Sequence, residues 1–214
     1  LGEAGLEISK LMVRSIFTAL TVCFLFVACS WFGSEPEIAA TQREHPASFF
    51  YLFSVSIHGE LVDLSRFRGQ VVLAVNTTSR CGTTPQYADL QQLYERYRER
   101  GFVVLGFPTH DFGGTQSETN EQIHEFCTSK YGVTFPLFQA GHVSGSEQQD
   151  VYSFLTQSCA EDIQGDVIYN FEKFLIDRRG QVRARFGSFS GPLDSALTSR
   201  LETLLAEPVK ESAS

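Results

Sequence analysis

Cys81 stands in the run Thr77-Thr78-Ser79-Arg80-Cys81-Gly82-Thr83-Thr84, a polar, turn-forming setting that seldom hosts a packing cysteine. It lies a few residues past the β-branched run Val71 to Val75 and just before a helix that opens near Pro85. In open α/β sheets that position, at the carboxyl end of a strand, exposes reactive groups. Unpaired amides at the helix start, with Arg80 alongside, would favour thiolate over thiol and make the sulfur nucleophilic. The residues that follow are Gly82-Thr83-Thr84, so there is no Cys-x-x-Cys. A dithiol oxidoreductase or a copper-delivery protein of thioredoxin type therefore lacks its main requirement. The other cysteines are at 23, 29, 127 and 159, an odd total with irregular spacing that does not describe a disulfide scaffold. His124 and Cys127 have helical ligand spacing without further ligands nearby, so neither a metal site nor a cofactor is expected.

The elements that must position Cys81 are legible from hydrophobic period. Phe50 to Ile57 reads as a strand, with His58-Gly59 turning into Leu61-Val62. Val71 to Val75 and Val103 to Phe107 are continuous apolar runs, the pattern of strands buried on both faces. Between them Tyr87, Leu90, Leu93, Tyr94 and Tyr97 recur at helical spacing until Gly101. Thr119 and Gln122 have capping-box spacing, and Ile123, Phe126 and Cys127 share one face of the helix they open. A helix over 148–156, strands over 174–176 and 182–186 around the turn Asp177 to Gly180, and an amphipathic helix over 193–205 follow. This order predicts an α/β domain over 48–208, a central sheet with helices on both faces, and a short tail over 209–214.

Lys plus Arg number 17 against 25 Asp plus Glu, a net charge of −8, which argues against a nucleic-acid partner. The first 34 residues carry Glu3, Glu7, Lys10 and Arg14 and are neutral overall, so the acidity belongs to the folded part. From Ser15 to Ser34 there is no charge, and the apolar run Ile16 to Ala28 follows Arg14, as in a signal peptide over 1–28, with Met12 as an alternative start. Phe26-Val27-Ala28-Cys29-Ser30 resembles a bacterial lipobox, which implies a lipid anchor on Cys29 and a place in the bacterial cell envelope, facing the periplasm or exterior. An uncleaved anchor helix and a plain cleaved signal are the competing readings. Residues 29–47 lack either period and read as a tether.

Three motifs then fall in order. Val75-Asn76-Thr77-Thr78-Ser79-Arg80-Cys81-Gly82, Gly106-Phe107-Pro108-Thr109-His110-Asp111-Phe112-Gly113 and Tyr169-Asn170-Phe171-Glu172-Lys173-Phe174-Leu175 resemble the "VNxAS-x-C/U-G", "GFPxNQFG" and "WNFxKFL" segments of the glutathione peroxidase family. The resemblance covers Phe49 to Leu205. It implies a thioredoxin fold, peroxide reduction by a Cys nucleophile, and a supporting tetrad that falls on Cys81, Asp111, Tyr169 and Asn170. Asp111 stands for the family's Gln and Tyr169 for its Trp. An ionised Asp111 facing the sulfur would raise the Cys81 pKa, a penalty that shrinks if the carboxylate turns toward backbone N–H groups. The Tyr169 hydroxyl can donate as an indole N–H does.

The segment from Glu125 to Pro136 resembles the thioredoxin-dependent branch of that family, which implies that Cys127 resolves the oxidised nucleophile as an intramolecular disulfide. Against this stands a packing role for Cys127 beside Ile123 and Phe126. The family's usual cysteine after "FP" is Thr109 here, which removes a competitor, and Cys159 reads as a bystander. The short stretch from Cys159 to Tyr169 lacks the insertion of tetrameric relatives and implies a monomer with an open site. The expected activity is reduction of hydrogen peroxide and organic or lipid hydroperoxides, with a thioredoxin-like donor or glutathione as reductant. A non-catalytic redox-sensing or binding lipoprotein on a decayed peroxidase scaffold is the alternative.

Overall fold

The computed structural model describes residues 46–113 and 118–208; the signal, lipobox and tether expectations, Cys29 included, lie outside the described residues apart from the end of the tether, and the tail expectation lies outside them altogether. A four-stranded sheet has the order β4-β3-β5-β6, with β3 Val71–Thr77, β4 Phe102–Pro108, β5 Lys173–Ile176 and β6 Val182–Phe186. β3 pairs parallel with β4, Val75 opposite Gly106, and antiparallel with β5, Val75 opposite Lys173. The crossover between β3 and β4 is helix α1, Gln86–Tyr97. Helix α2 spans Asn120–Tyr131, α3 Asp150–Gln157 and α4 Ser195–Ala206. A separate hairpin joins β1 Phe53–Val55 to β2 Leu61–Asp63.

Strand residues alternate between faces, so the sheet separates two apolar clusters. Val71, Leu73 and Val75 meet Leu90 and Leu93 of α1, Ile123 and Cys127 of α2, and Leu197 and Leu201 of α4. Val72 and Ala74 meet Phe49, Phe50 and the α3 residues Val151, Tyr152 and Phe154. The fold is α/β with a mixed sheet flanked by helices, as expected. Segment 136–139 extends the sheet: Phe138 N donates to Gly106 O at 2.9 Å, and Ile57 N donates to Leu137 O at 2.9 Å. Gly106 permits that approach, since a Cβ there would stand 2.6 Å from Leu137 Cδ2.

One expectation is corrected. The strand expected from Phe50 to Ile57 is confined to Phe53–Val55, and Phe50 and Tyr51 belong to a 3-10 turn, Phe49–Tyr51, capped by Ser48. Phe49 and Phe50 are both fully buried in one cluster. Successive strand residues point to opposite faces, whereas a tight turn can send both rings into one core.

Candidate active site

Cys81 lies on the loop between β3 and α1, half-buried, and the loop is drawn tight by its threonines. Cys81 N donates to Thr84 Oγ1 at 2.8 Å, Thr84 Oγ1 donates to Thr78 O at 3.2 Å, and Thr84 N donates to Cys81 O at 3.1 Å. The Thr83 hydroxyl donates to Cys81 Sγ at 3.1 Å. The Tyr169 hydroxyl lies 3.5 Å from the same sulfur. Burial raises the thiol pKa more than any single other influence, yet hydrogen bonds from the Thr83 hydroxyl and N–H, from Tyr169 and from Asn170 together outweigh it, and the thiol lies below its ordinary value. Tyr169 is raised in turn, first by its hydrogen bond to Cys81.

A turn after α3 and before β5 delivers Tyr169 and Asn170. Phe171 adopts φ +61°, in the left-handed region, and its ring is fully buried. Asn76, inside β3, organises this turn: its amide donates to Tyr169 O at 2.9 Å, its amide oxygen accepts from Glu172 N at 2.8 Å, and its carbonyl accepts from Phe171 N at 2.8 Å. A left-handed non-glycine residue is costly and persists only where its surroundings fix it, as these three bonds do. Asn170 is fully buried and donates to Phe112 O at 3.5 Å, leaving a second amide hydrogen for the sulfur.

Asp111 takes the arrangement in which the expected repulsion shrinks. One carboxylate oxygen is 2.7 Å from His142 Nδ1, and the other accepts from Val143 N at 2.7 Å and Ser144 N at 3.1 Å. Desolvation pushes Asp111 up, but Val143 N–H, His142 and Ser144 N–H outweigh it and hold the carboxyl below its ordinary value. Asp111 thus ties the turn after β4 to the loop over 142–144. Arg80 is a correction: its guanidinium is 3.6 Å from Glu118, whose other oxygen accepts from Ser79, and the stabilising donors on Cys81 come from Thr83, Tyr169 and Asn170 instead. Thr83 was readable as a hydroxyl two residues from the sulfur, whereas Glu118 carried no signal in the sequence.

Cys127 is fully buried on α2, and burial pushes its thiol up to about 11 against the opposing Tyr87 hydroxyl. Tyr87 in turn meets the Phe171 ring edge-on at 5.3 Å. The Cys127 surroundings therefore touch the turn that carries Tyr169 and Asn170. Cys81 and Cys127 are both free thiols, as is Cys159. Cys159 packs against the cluster on the opposite face of the sheet from Cys127.

The family described as "Glutathione peroxidase" matches residues 49–156. The chain is 45% identical over 144 residues to the glutathione peroxidase of Lactococcus lactis subsp. cremoris, covering 67% of this chain and 92% of that protein. It is 42% identical over 161 residues to glutathione peroxidase-like peroxiredoxin 2 of Saccharomyces cerevisiae, covering 75% and 98%. With the hydroperoxy fatty acid reductase of Synechocystis it shares 44% over 153 residues, covering 66% and 88%. The crystal structure of apo Trgpx superposes with a TM-score of 0.61 at 33% identity, over 75% of this chain and 97% of that one. A thioredoxin-family thiol:disulfide interchange protein of Chlorobium tepidum shares the fold, with a TM-score of 0.52 at 17% identity over 72% and 93%.

Proposed function

The chain belongs to the glutathione peroxidase family and is a peroxidase, and from that premise we propose that Cys81 is its peroxide-reducing nucleophile, Cys127 its resolving thiol and a thioredoxin-like dithiol its reductant. The observation that carries this reading is the convergence of Thr83, Tyr169 and Asn170 on one half-buried sulfur held below its ordinary pKa. The Cys81 thiolate attacks one oxygen of the hydroperoxide and the O–O bond breaks. Sulfur is oxidised to a sulfenic acid, and the other oxygen takes a proton and leaves as water or alcohol. The donors that stabilise the thiolate also face the charge that develops on the leaving oxygen. Cys127 then condenses with the sulfenic acid, releasing water and forming a disulfide, which the external dithiol reduces by exchange.

Cys127 is fully buried on α2 whereas Cys81 lies on the half-buried loop, so the Cys127 sulfur leaves the core to reach its partner and α2 opens locally in the second step. That helix has only Ile123 and Cys127 fully buried and ends at Gly132 with φ +63°, a conformation suited to absorbing the change. Exposed Tyr169 lies against the sulfur and stacks on exposed Phe189 at 6.1 Å, an apolar surface that suits bulky organic or lipid hydroperoxides. A lipid anchor on Cys29, which would hold a monomer at the cell envelope, belongs to the same proposal; labelling with a radioactive fatty acid, lost in Cys29→Ser, tests it. For the activity, peroxide consumption is measured with thioredoxin and with glutathione. The reading expects thioredoxin to sustain turnover well above glutathione; equal support from both contradicts the resolving role, and consumption by neither leaves a redox sensor.

A further inference from the structure

Tyr169 reaches Cys81 from a loop, and a loop hydroxyl 3.5 Å from a sulfur is useful only if the backbone carrying it is fixed. Glu172, only 2% exposed, supplies that fixation. One of its carboxylate oxygens accepts from Ile168 N at 2.7 Å and Tyr169 N at 3.2 Å. The other accepts from Arg185 on β6, Nη2 at 2.6 Å and Nε at 2.9 Å. The same guanidinium donates to Gly165 O and Asp166 O, each at 2.7 Å, and to Ile163 O at 3.4 Å. Its plane rests 5.0 Å from the centroid of Phe174.

We propose that Glu172 and Arg185 are a positioning pair for the peroxidase reaction, fixing the Tyr169 loop so that the Tyr169 hydroxyl meets Cys81. Burying two charges gains little stability, because desolvation offsets their attraction; what such a pair can do is select one conformation. Beyond the two bonds between them, the pair is spent on the loop: Glu172 accepts from two backbone amides and Arg185 donates to three carbonyls. A lysine could reach one or two of those acceptors but lacks the planar fork that serves them together. The inference rests on the reading of Cys81 as nucleophile, but its test needs no turnover.

The experiment measures the pH dependence of Cys81 alkylation by iodoacetamide, peptide by peptide, in the parent, Glu172→Gln, Arg185→Lys, Tyr169→Phe and the two double variants with Tyr169→Phe. Glu172→Gln and Arg185→Lys should each move the Cys81 midpoint upward and slow its oxidation by peroxide about tenfold at neutral pH. In the Tyr169→Phe background the same changes should add less than about twofold, since they act through that hydroxyl. An unmoved midpoint, or an equal further shift without the hydroxyl, overturns the proposal. If Glu172→Gln does not fold, Arg185→Lys and the apolar pair Glu172→Met with Arg185→Met carry the same cycle. Failure of the nucleophile assignment is separate: it would show as peroxide oxidation surviving Cys81→Ser, with the alkylation cycle intact.

Discussion

Cys81 and Cys127 are the same side chain in opposite surroundings. Cys81 is half-buried on a polar loop with a hydroxyl 3.1 Å away, and its thiol is held below the ordinary value despite burial. Cys127 is wholly enclosed by the α2 core, and burial pushes it up to about 11. Burial disfavours the thiolate in both; only the donors that face Cys81 reverse the outcome. In the proposed cycle the loop sulfur attacks the peroxide, and the helical one, disfavoured as a thiolate by burial, engages only when its helix opens. On that proposal, low reactivity at Cys127 protects it from peroxide itself and leaves the sulfenic acid of Cys81 as its partner.

The largest break of this contrast is Cys81→Ser, which should reduce peroxide-dependent sulfenic acid trapping and peroxide consumption to background. Cys127→Ser should leave the first oxidation at its parental rate, stop thioredoxin-supported turnover after one cycle, and expose Cys81 to sulfinic acid formation, read by intact-protein mass spectrometry. Thr83→Val keeps the shape of the loop and removes one donor, so Cys81 oxidation should slow about tenfold at neutral pH and its alkylation midpoint should rise.

Asp111→Gln should have the smallest effect on the sulfur: because the carboxylate is engaged with the 142–144 loop, the Cys81 midpoint and oxidation rate should stay within about twofold of the parent. Its consequence is for the loop. Asp111 is lowered, so the stability it contributes is present above its ordinary carboxylate range and is lost as pH falls through its lowered folded value. His142 is raised, chiefly by its hydrogen bond to Asp111, so its contribution is complete below its unfolded value and is lost as pH rises through the raised one. Protection of the Val143 and Ser144 N–H groups, their exchange rate relative to the intrinsic rate at each pH, should therefore be greatest in mildly acidic solution, and Asp111→Gln should flatten that maximum.

The contrast also shows what a sequence can carry. β3, β4, the β6 strand and the capping box of Thr119 with Gln122 were legible because each is written in local period or a three-residue spacing. Cys81 was legible because a polar turn after a buried strand is a local signature, and Cys127 showed its core-facing side in the helical pattern. The partners were less so. Asp111 finds His142 and Glu172 finds Arg185 across a loop and a strand turn, and no periodicity encodes which of several charged residues meets which. The expected strand start at Phe50 fails because Phe50 and Tyr51 suit a strand by propensity, and only the core decides that Phe49 and Phe50 both point inward from a 3-10 turn.

Cys81 and Cys127 should differ in thiolate character before any peroxide arrives. Alkylation of the reduced protein by iodoacetamide, followed at both cysteines from pH 5 to the alkaline limit of folding by peptide mass spectrometry, tests it directly. Cys81 should react first, with a midpoint below that of an unperturbed thiol, while Cys127 stays unmodified at neutral pH and becomes reactive only toward about 11. Coincident midpoints, or modification of Cys127 ahead of Cys81, would contradict it.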